Sequence, residues 1–267
     1  MTSYSSKETL ERIHAALEAA REVLNRFTPG AIEAEYKAGH DPVTEADRAV
    51  DDILRKTLLR PGEGWLSEET VDDLARLDKT RVWVVDPLDG TREFVEGIPE
   101  FCVSIAMVEN GFPVAGGICN PATGELILGS RDTGVTYNGT PAEASQRRNL
   151  QGALVLASRS EVKRGEWKQF ESSDFTTRPM GSVAYKLGLV AAGRADVTFT
   201  LVPKHEWDVA AGAALVLSAG GFVRTLESTD LKCNQKNPLI TGLIAGGPHL
   251  EAELLARLNA HLHPVGR

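Results

Sequence analysis

Apolar residues recur at helical spacing near the start of the chain. Leu10, Ile13, Leu17, Ala20, Val23, Leu24 and Phe27 share one face of a 3.6-residue period, which predicts a long amphipathic helix ended by Pro29-Gly30. Val50, Ile53, Leu54 and Leu58 predict a second helix, with Thr44 as its N-cap. The period then changes. Residues 82–85 form a short apolar run of β-branched and aromatic residues, read as a buried strand. It is expected to stop at Asp86-Pro87, because proline has no N–H to extend a ladder. Residues 101–108 and 113–119 alternate in strand fashion around the hairpin signal Asn110-Gly111. Strands at 125–129 and 135–137 follow, with turns at Thr133-Gly134 and Asn138-Gly139. This half reads as two helices packed on an antiparallel sheet.

The pattern turns polar over 141–152, where a lobe boundary is expected. Beyond it, strand and helix alternate. Strands are predicted at 153–157, 197–202, 222–226 and 239–245. Helices are predicted at 161–171, 181–192 (ended by Gly193), 208–219 (ended by Gly220-Gly221) and 248–262. The division is an N-terminal lobe, 1–145, and a C-terminal α/β lobe, 146–267.

Composition narrows the function classes. The 267 residues are 42% hydrophobic and 25% charged, as in a soluble globular protein with one large or two smaller cores. A net charge of −8 argues against general affinity for a nucleic acid polymer or an anionic membrane. It does not exclude a small anionic substrate, since bound metal ions invert the local field. The Met-Thr-Ser start leads into an amphipathic stretch, so no signal peptide is expected, and no apolar run is long enough for a bilayer. Cys102, Cys119 and Cys233 make no metal or redox spacing. An odd, scattered set reads as reduced thiols in a cytoplasmic protein.

The chemistry gathers around Asp86-Pro87-Leu88-Asp89-Gly90-Thr91. Two carboxylates at one strand end, with the Leu88 carbonyl between them, suit a hard cation such as Mg²⁺. Gly90 lets the backbone approach a ligand. If a helix begins there, the Gly90 and Thr91 amides point at a phosphate. Taken alone, Asp-Pro and Asp-Gly are also ordinary turn dipeptides. Asp47 is equally readable as the acidic half of a capping box with Thr44. Glu68-Glu69 reads as solvated surface or as a strand end that lifts an acid toward Asp86 and Asp89. Asp208 reads as a helix N-cap, with small residues after it that allow close packing.

Together, Val43-Thr-Glu-Ala-Asp47, Glu68-Glu69, Asp86-Pro-Leu-Asp-Gly-Thr91 and Trp207-Asp-Val-Ala-Ala-Gly212 resemble the inositol monophosphatase superfamily, in order and over nearly the whole chain. The resemblance implies a two-lobed αβαβα layered sandwich, in the α/β (α+β) class, with the site between the lobes. It implies a Mg²⁺-dependent, lithium-sensitive phosphate monoester hydrolase holding two or three ions. Glu68, Asp86, the Leu88 carbonyl, Asp89 and Asp208 match the metal ligands. Asp47 and Thr91 match the pair that activates the attacking water, and Gly90 and Thr91 the amides that hold phosphate. Ser67 stands where the family usually has glycine. Lys37 falls near a site-facing lysine only after a one-residue gap.

Three features lean toward the 3′(2′),5′-bisphosphate nucleotidases of that superfamily. Thr91-Arg92-Glu93-Phe94 resembles their Thr-Lys/Arg-Glu-Phe. Leu201 occupies the position of the family's inositol-contacting Glu. Lys186, in Gly181-Ser-Val-Ala-Tyr-Lys186, resembles a Ser…Lys of the nucleotidases where the inositol enzymes usually have a neutral residue, and is read either as a second-phosphate contact or as a solvated helix lysine. Ser158, in Ser158-Arg159-Ser160, is a further phosphate contact that occurs across the superfamily. His205 and Glu206 read as pocket lining or plain loop polarity. The first expectation is hydrolysis of adenosine 3′,5′-bisphosphate. The alternatives are an inositol or broader sugar and polyol monophosphatase, and a metal-bound scaffold without activity. A small phosphorylated substrate is the expected partner, and the resemblance accommodates both monomer and homodimer.

Overall fold

Ser5 caps the first helix, α1 (Ser6–Leu24), by accepting the Glu8 N–H, and the predicted apolar stripe is its buried face. The computed structural model describes residues 5–36, 42–170 and 174–262; Lys37 lies outside them. Two short strands, β1 (Glu35–Tyr36) and β2 (Pro42–Val43), pair antiparallel just before α2 (Glu45–Leu58). Thr44 and Asp47 close a capping box at the start of α2. Then come β3 (Gly64–Ser67), a 3₁₀ turn at Ala75–Asp78, β4 (Arg81–Asp89) and α3 (Thr91–Glu96). A meander follows: β5 (Cys102–Glu109), β6 (Phe112–Asn120), β7 (Glu125–Ser130), β8 (Gly134–Tyr137) and β9 (Thr140–Ala142). These seven strands, β3 to β9, form one sheet in sequence order. It is not wholly antiparallel, because β3 runs parallel to β4.

The polar stretch after β9 leads to a second sheet. Its elements are β10 (Leu154–Ser158), α4 (Arg159–Lys163), β11 (Thr176–Met180), α5 (Val183–Ala191), β12 (Val197–Thr200), β13 (Lys204–His205), α6 (Glu206–Ser218), β14 (Phe222–Thr225), β15 (Leu239–Ile240), β16 (Leu243–Gly246) and α7 (Glu251–Leu262). The sheet order is β11-β10-β12-β16-β14, and β13 and β15 pair separately. Helices α1 and α2 cover one face of the first sheet. Helices α5 and α6 lie between the two sheets, and α7 packs with Trp167, Phe170 and Phe199 on the far face of the second. The layers are therefore αβαβα.

Helices α5 and α6 are apolar on nearly every side, as helices covered on two faces must be. The approach of α6 to β6 is close: a Cβ on Gly116 would lie 2.5 Å from the Ala211 carbonyl oxygen. Gly212 likewise faces the Leu187 side chain of α5.

Several expectations are corrected. The helix expected over 161–171 is a five-residue α4 and a separate 3₁₀ turn at Lys168–Phe170, split at Gly165, where φ is +80°. The strand expected over 239–245 is two strands, β15 and β16, in different sheets. Strand β11 was not expected. The chain also does not leave the sheet at Pro87. Strand β4 continues to Asp89, with Asp86 opposite Ser104, Asp89 opposite Cys102 and a register shift between them. Pro87 occupies that irregularity, where no ladder N–H is required.

Candidate active site

The irregularity in β4 sets the site. Residues three apart on a regular strand face opposite sides of the sheet. Here Asp86, Leu88 and Asp89 all line one cavity of about 330 Å³. Gly90 follows at φ +96°, and a Cβ there would lie 2.8 Å from the Glu100 carbonyl oxygen, so only glycine turns the strand directly into α3. The cavity is completed by Glu68 after β3, Ser158 at the end of β10, the turn before α5, and Lys204, His205, Trp207 and Asp208 around the start of α6.

Asp47 completes the capping box and also meets Thr91. Its Oδ2 accepts the Thr44 N–H at 2.8 Å and the Thr44 hydroxyl at 2.6 Å, while its Oδ1 lies 2.9 Å from the Thr91 hydroxyl. That hydroxyl is also 2.9 Å from the Leu88 carbonyl, so its single proton has two acceptors. Burial raises the Asp47 pKa more than the Thr44 and Thr91 hydrogen bonds lower it.

Asp86 and Asp208 lie in the field of neighbouring acids. Burial, then Glu68, Asp89 and Asp208, push Asp86 well above the ordinary carboxylate range. Burial, then Asp89 and Glu68, push Asp208 up to about 8. Asp208 is enclosed by protein yet keeps part of its surface on the cavity. It is not the N-cap of α6 but lies three residues past His205, whose N–H it accepts at 2.8 Å. Asp89 is raised chiefly by burial, partly offset by its hydrogen bonds from the Ser182 hydroxyl at 2.7 Å and the Ala184 N–H at 2.5 Å. Among the described residues, no three acidic, histidine or cysteine side chains converge as a finished coordination shell. The donor chemistry nevertheless fits hard divalent cations: several carboxylates and a carbonyl oxygen line one cavity, with Asp86 and Asp208 each pushed up by neighbouring acids.

Lys186 is not a solvated lysine. It is 3% exposed, and its ammonium donates to the carbonyls of Ser182 at 2.7 Å, Met180 at 3.3 Å and Gly181 at 3.4 Å. Burial lowers its pKa to about 8, against the opposing pull of Asp89. It thus holds the turn whose Ser182 (φ +53°) and Ala184 grip Asp89. Leu201 packs half-buried against the core cluster of the second sheet that holds Trp167 and Phe199, and is not among the residues lining the cavity. Ser158 reaches the cavity while its hydroxyl caps α4. His205 lines the cavity and stacks on Trp207, with ring centroids 4.4 Å apart.

Glu206 is buried, and its carboxylate accepts the N–H groups of Asn234 and Gln235 at 2.6 and 2.8 Å. It serves neither as pocket lining nor as loose polarity. Arg76 reaches the same loop, donating to the Asn234 side chain at 2.8 Å and to the Gln235 carbonyl at 2.9 Å.

Other contributors escaped sequence reading. Asp51 accepts the Ser67 hydroxyl at 2.5 Å on one oxygen and the Thr70 hydroxyl at 2.6 Å on the other. It thereby brackets the loop that carries Glu68. Its place one helical turn after Asp47 was the available signal. Ser182 was visible only through the Ser…Lys likeness around Lys186, and Lys204 gave no signal, because their partners Asp89 and Glu161 are distant in the chain.

The profile of the inositol monophosphatase family matches residues 6–264. The chain is 36% identical over 225 residues to an inositol-1-monophosphatase of Mesorhizobium japonicum, covering 80% of this chain and 84% of that protein. It is 33% identical over 268 residues to the Nus factor SuhB of Escherichia coli K12, covering 94% and 96%. The solved structure of an inositol monophosphatase from Thermotoga maritima superposes with a TM-score of 0.82 at 27% identity, covering 97% of this chain and all of that one. With the bulged strand, the acidic cavity and the layered fold already in place, these likenesses settle the family: the chain belongs to the inositol monophosphatase family and is a metal-dependent phosphatase.

Proposed function

We propose that the cavity hydrolyses a polyol monophosphate of the inositol phosphate class, using Mg²⁺ held by Glu68, Asp86, the Leu88 carbonyl, Asp89 and Asp208. The observation that carries this reading is the contact of Asp47 with Thr91 beside that acidic group. Two or three bound ions would screen the phosphate dianion, make an attacking water acidic and stabilise the leaving oxygen. Thr91 passes its proton to Asp47 and so offers its oxygen to take one from the attacking water. Asp47, raised by burial, is a stronger base than an exposed aspartate. Gly90, Thr91 and Ser158 receive the phosphate. The route is direct attack by water, without a phosphoenzyme.

Two observations favour the polyol reading over the bisphosphate nucleotide. Relatives of this length carry the name inositol-1-monophosphatase. Lys186, the residue that suggested a second phosphate, lines the cavity but directs its ammonium to the backbone carbonyls of Ser182, Met180 and Gly181. Thr91-Arg92-Glu93-Phe94 keeps the nucleotide as the second reading.

The test is phosphate release from inositol 1-phosphate and adenosine 3′,5′-bisphosphate side by side, with Mg²⁺ and with chelator. Mg²⁺-dependent preference for inositol phosphate is expected. Preference for the nucleotide reverses the substrate assignment, and activity that persists in chelator removes the mechanism.

A further inference from the structure

One wall of the cavity carries a donor and an acceptor that form an ion pair without a direct hydrogen bond. Glu93 of α3 and Arg159 of α4 both line the cavity. The Glu93 side chain is 13% exposed. It lies over Gly181, where a Cβ would stand 2.4 Å from its carboxyl carbon, so the turn before α5 leaves room for it. Arg159 is held from the other side: its guanidinium donates to Glu100, which also accepts the Gly181 N–H at 2.7 Å. That grip leaves Arg159 Nε buried with no hydrogen-bond partner among the described residues. The atom lies 4.0 Å from Glu93 Oε1, beyond direct hydrogen-bonding range.

We propose that Glu93 and Arg159 form a clamp for one hydroxyl group of the substrate. This rests on the polyol phosphate reading above. A hydroxyl oxygen about 2.9 Å from the nitrogen and about 2.7 Å from the carboxylate oxygen spans the 4.0 Å gap at roughly a right angle. A hydroxyl accepts from Arg159 and donates to Glu93, and so completes both groups at once. A phosphate oxygen only accepts, and here it would face the Glu93 carboxylate. An ammonium only donates, and would face the guanidinium. The clamp therefore selects a hydroxylated substrate body and disfavours a second phosphate at this wall, which makes Glu93 and Arg159 specificity-determining residues.

The test is a cycle in kcat/KM between protein and substrate. Inositol 1-phosphate, its single-deoxy analogues and p-nitrophenyl phosphate are assayed on the wild type, Glu93→Ala, Glu93→Gln and Arg159→Lys. In the wild type, loss of one particular hydroxyl is expected to lower kcat/KM about 10- to 100-fold. Glu93→Ala should lose a similar factor on the intact substrate, little more on that deoxy analogue, and much less on p-nitrophenyl phosphate. Glu93→Gln keeps an acceptor and should fall between. Arg159→Lys keeps the charge facing Glu100 but removes the Nε donor, and should show the same selectivity loss. If Glu93→Ala does not fold, the deoxy series on the wild type and Arg159→Lys decide. Equal losses on inositol and aryl phosphates, or a wild type indifferent to every deoxy substitution, overturn the clamp while leaving the polyol reading in place. A wild type that ignores polyol phosphates overturns both.

Discussion

At the scale of the residue, Asp47 shows how one carboxylate can hold a helix end and reach the candidate site together. One oxygen completes the capping box with Thr44 and the other meets the Thr91 hydroxyl. Asp47→Asn should lower kcat by roughly 10²–10⁴-fold, the range for loss of a positioned base, while leaving Mg²⁺ affinity measured by calorimetry nearly unchanged. A kcat within a few-fold of wild type would remove Asp47 from the proton path. Asp51 has the converse role. Its two oxygens hold Ser67 and Thr70 on either side of Glu68, so Asp51→Asn should raise the Mg²⁺ concentration needed for half-maximal rate about 10- to 100-fold, with a smaller change in kcat. Asp47 was legible in the sequence because a cap is a local pattern. Asp51 was not, because its hydroxyl partners sit 16 and 19 residues away, on the far side of a loop. Ser67, visible only as a departure from the family's glycine, gains its meaning from that partner.

At the scale of the element, the turn into α5 is the piece on which Asp89 depends. The buried Lys186 ammonium gathers three carbonyls of this turn, and the turn in turn presents Ser182 and Ala184 to Asp89. Lys186→Met should therefore lower kcat/KM on inositol phosphate and aryl phosphate alike, and lower stability by about 1–3 kcal/mol, as expected when buried acceptors lose their donor. A loss confined to adenosine 3′,5′-bisphosphate would restore Lys186 as a second-phosphate contact. The helix pattern of α5 and α6 was readable because an apolar, small-residue helix has to be covered on several sides. Strand β11 was not readable. Its Thr-Thr-Arg-Pro-Met sequence lacks apolar alternation, and Pro179 is tolerated because β11 is an edge strand bonded only to β10. The β4 irregularity was half-read: proline signalled a break in the ladder, but the neighbouring strand β5 carries β4 through it.

At the scale of the whole molecule, the first sheet, with α3 after it, and helix α6 deliver acids to one cavity, and the fold bears their mutual repulsion. Asp208 is raised to about 8 from an ordinary value near 4. Between those values the folded protein holds a proton that the unfolded chain has released, so this group's stabilising contribution is present at low pH and is lost as pH rises toward 8. Asp86, Asp89 and Asp47 are raised in the same direction. In chelator, the melting temperature should fall by several degrees between pH 5 and pH 8, and Mg²⁺ should recover most of the loss at pH 8. Asp208→Asn should melt higher than the wild type in chelator at pH 8 and be inactive. A flat pH dependence, or a mutant that melts lower, would show that the acids do not strain the fold. The layered architecture was legible from the two hydrophobic periods and the family motifs together. The sharing of one core by α5, α6 and the first sheet was not, since nothing local in a buried helix says which sheet will cover it.

The most direct test of the whole account is Mg²⁺-dependent phosphate release from inositol 1-phosphate by Asp89→Asn, compared with the wild type. Asparagine keeps the size of the side chain and its acceptor toward Ser182 and Ala184, and removes only the charge. The account predicts that the mutant folds and that its rate falls to the level of wild type in chelator. Turnover by Asp89→Asn at the wild-type rate, with the same Mg²⁺ dependence, would contradict it.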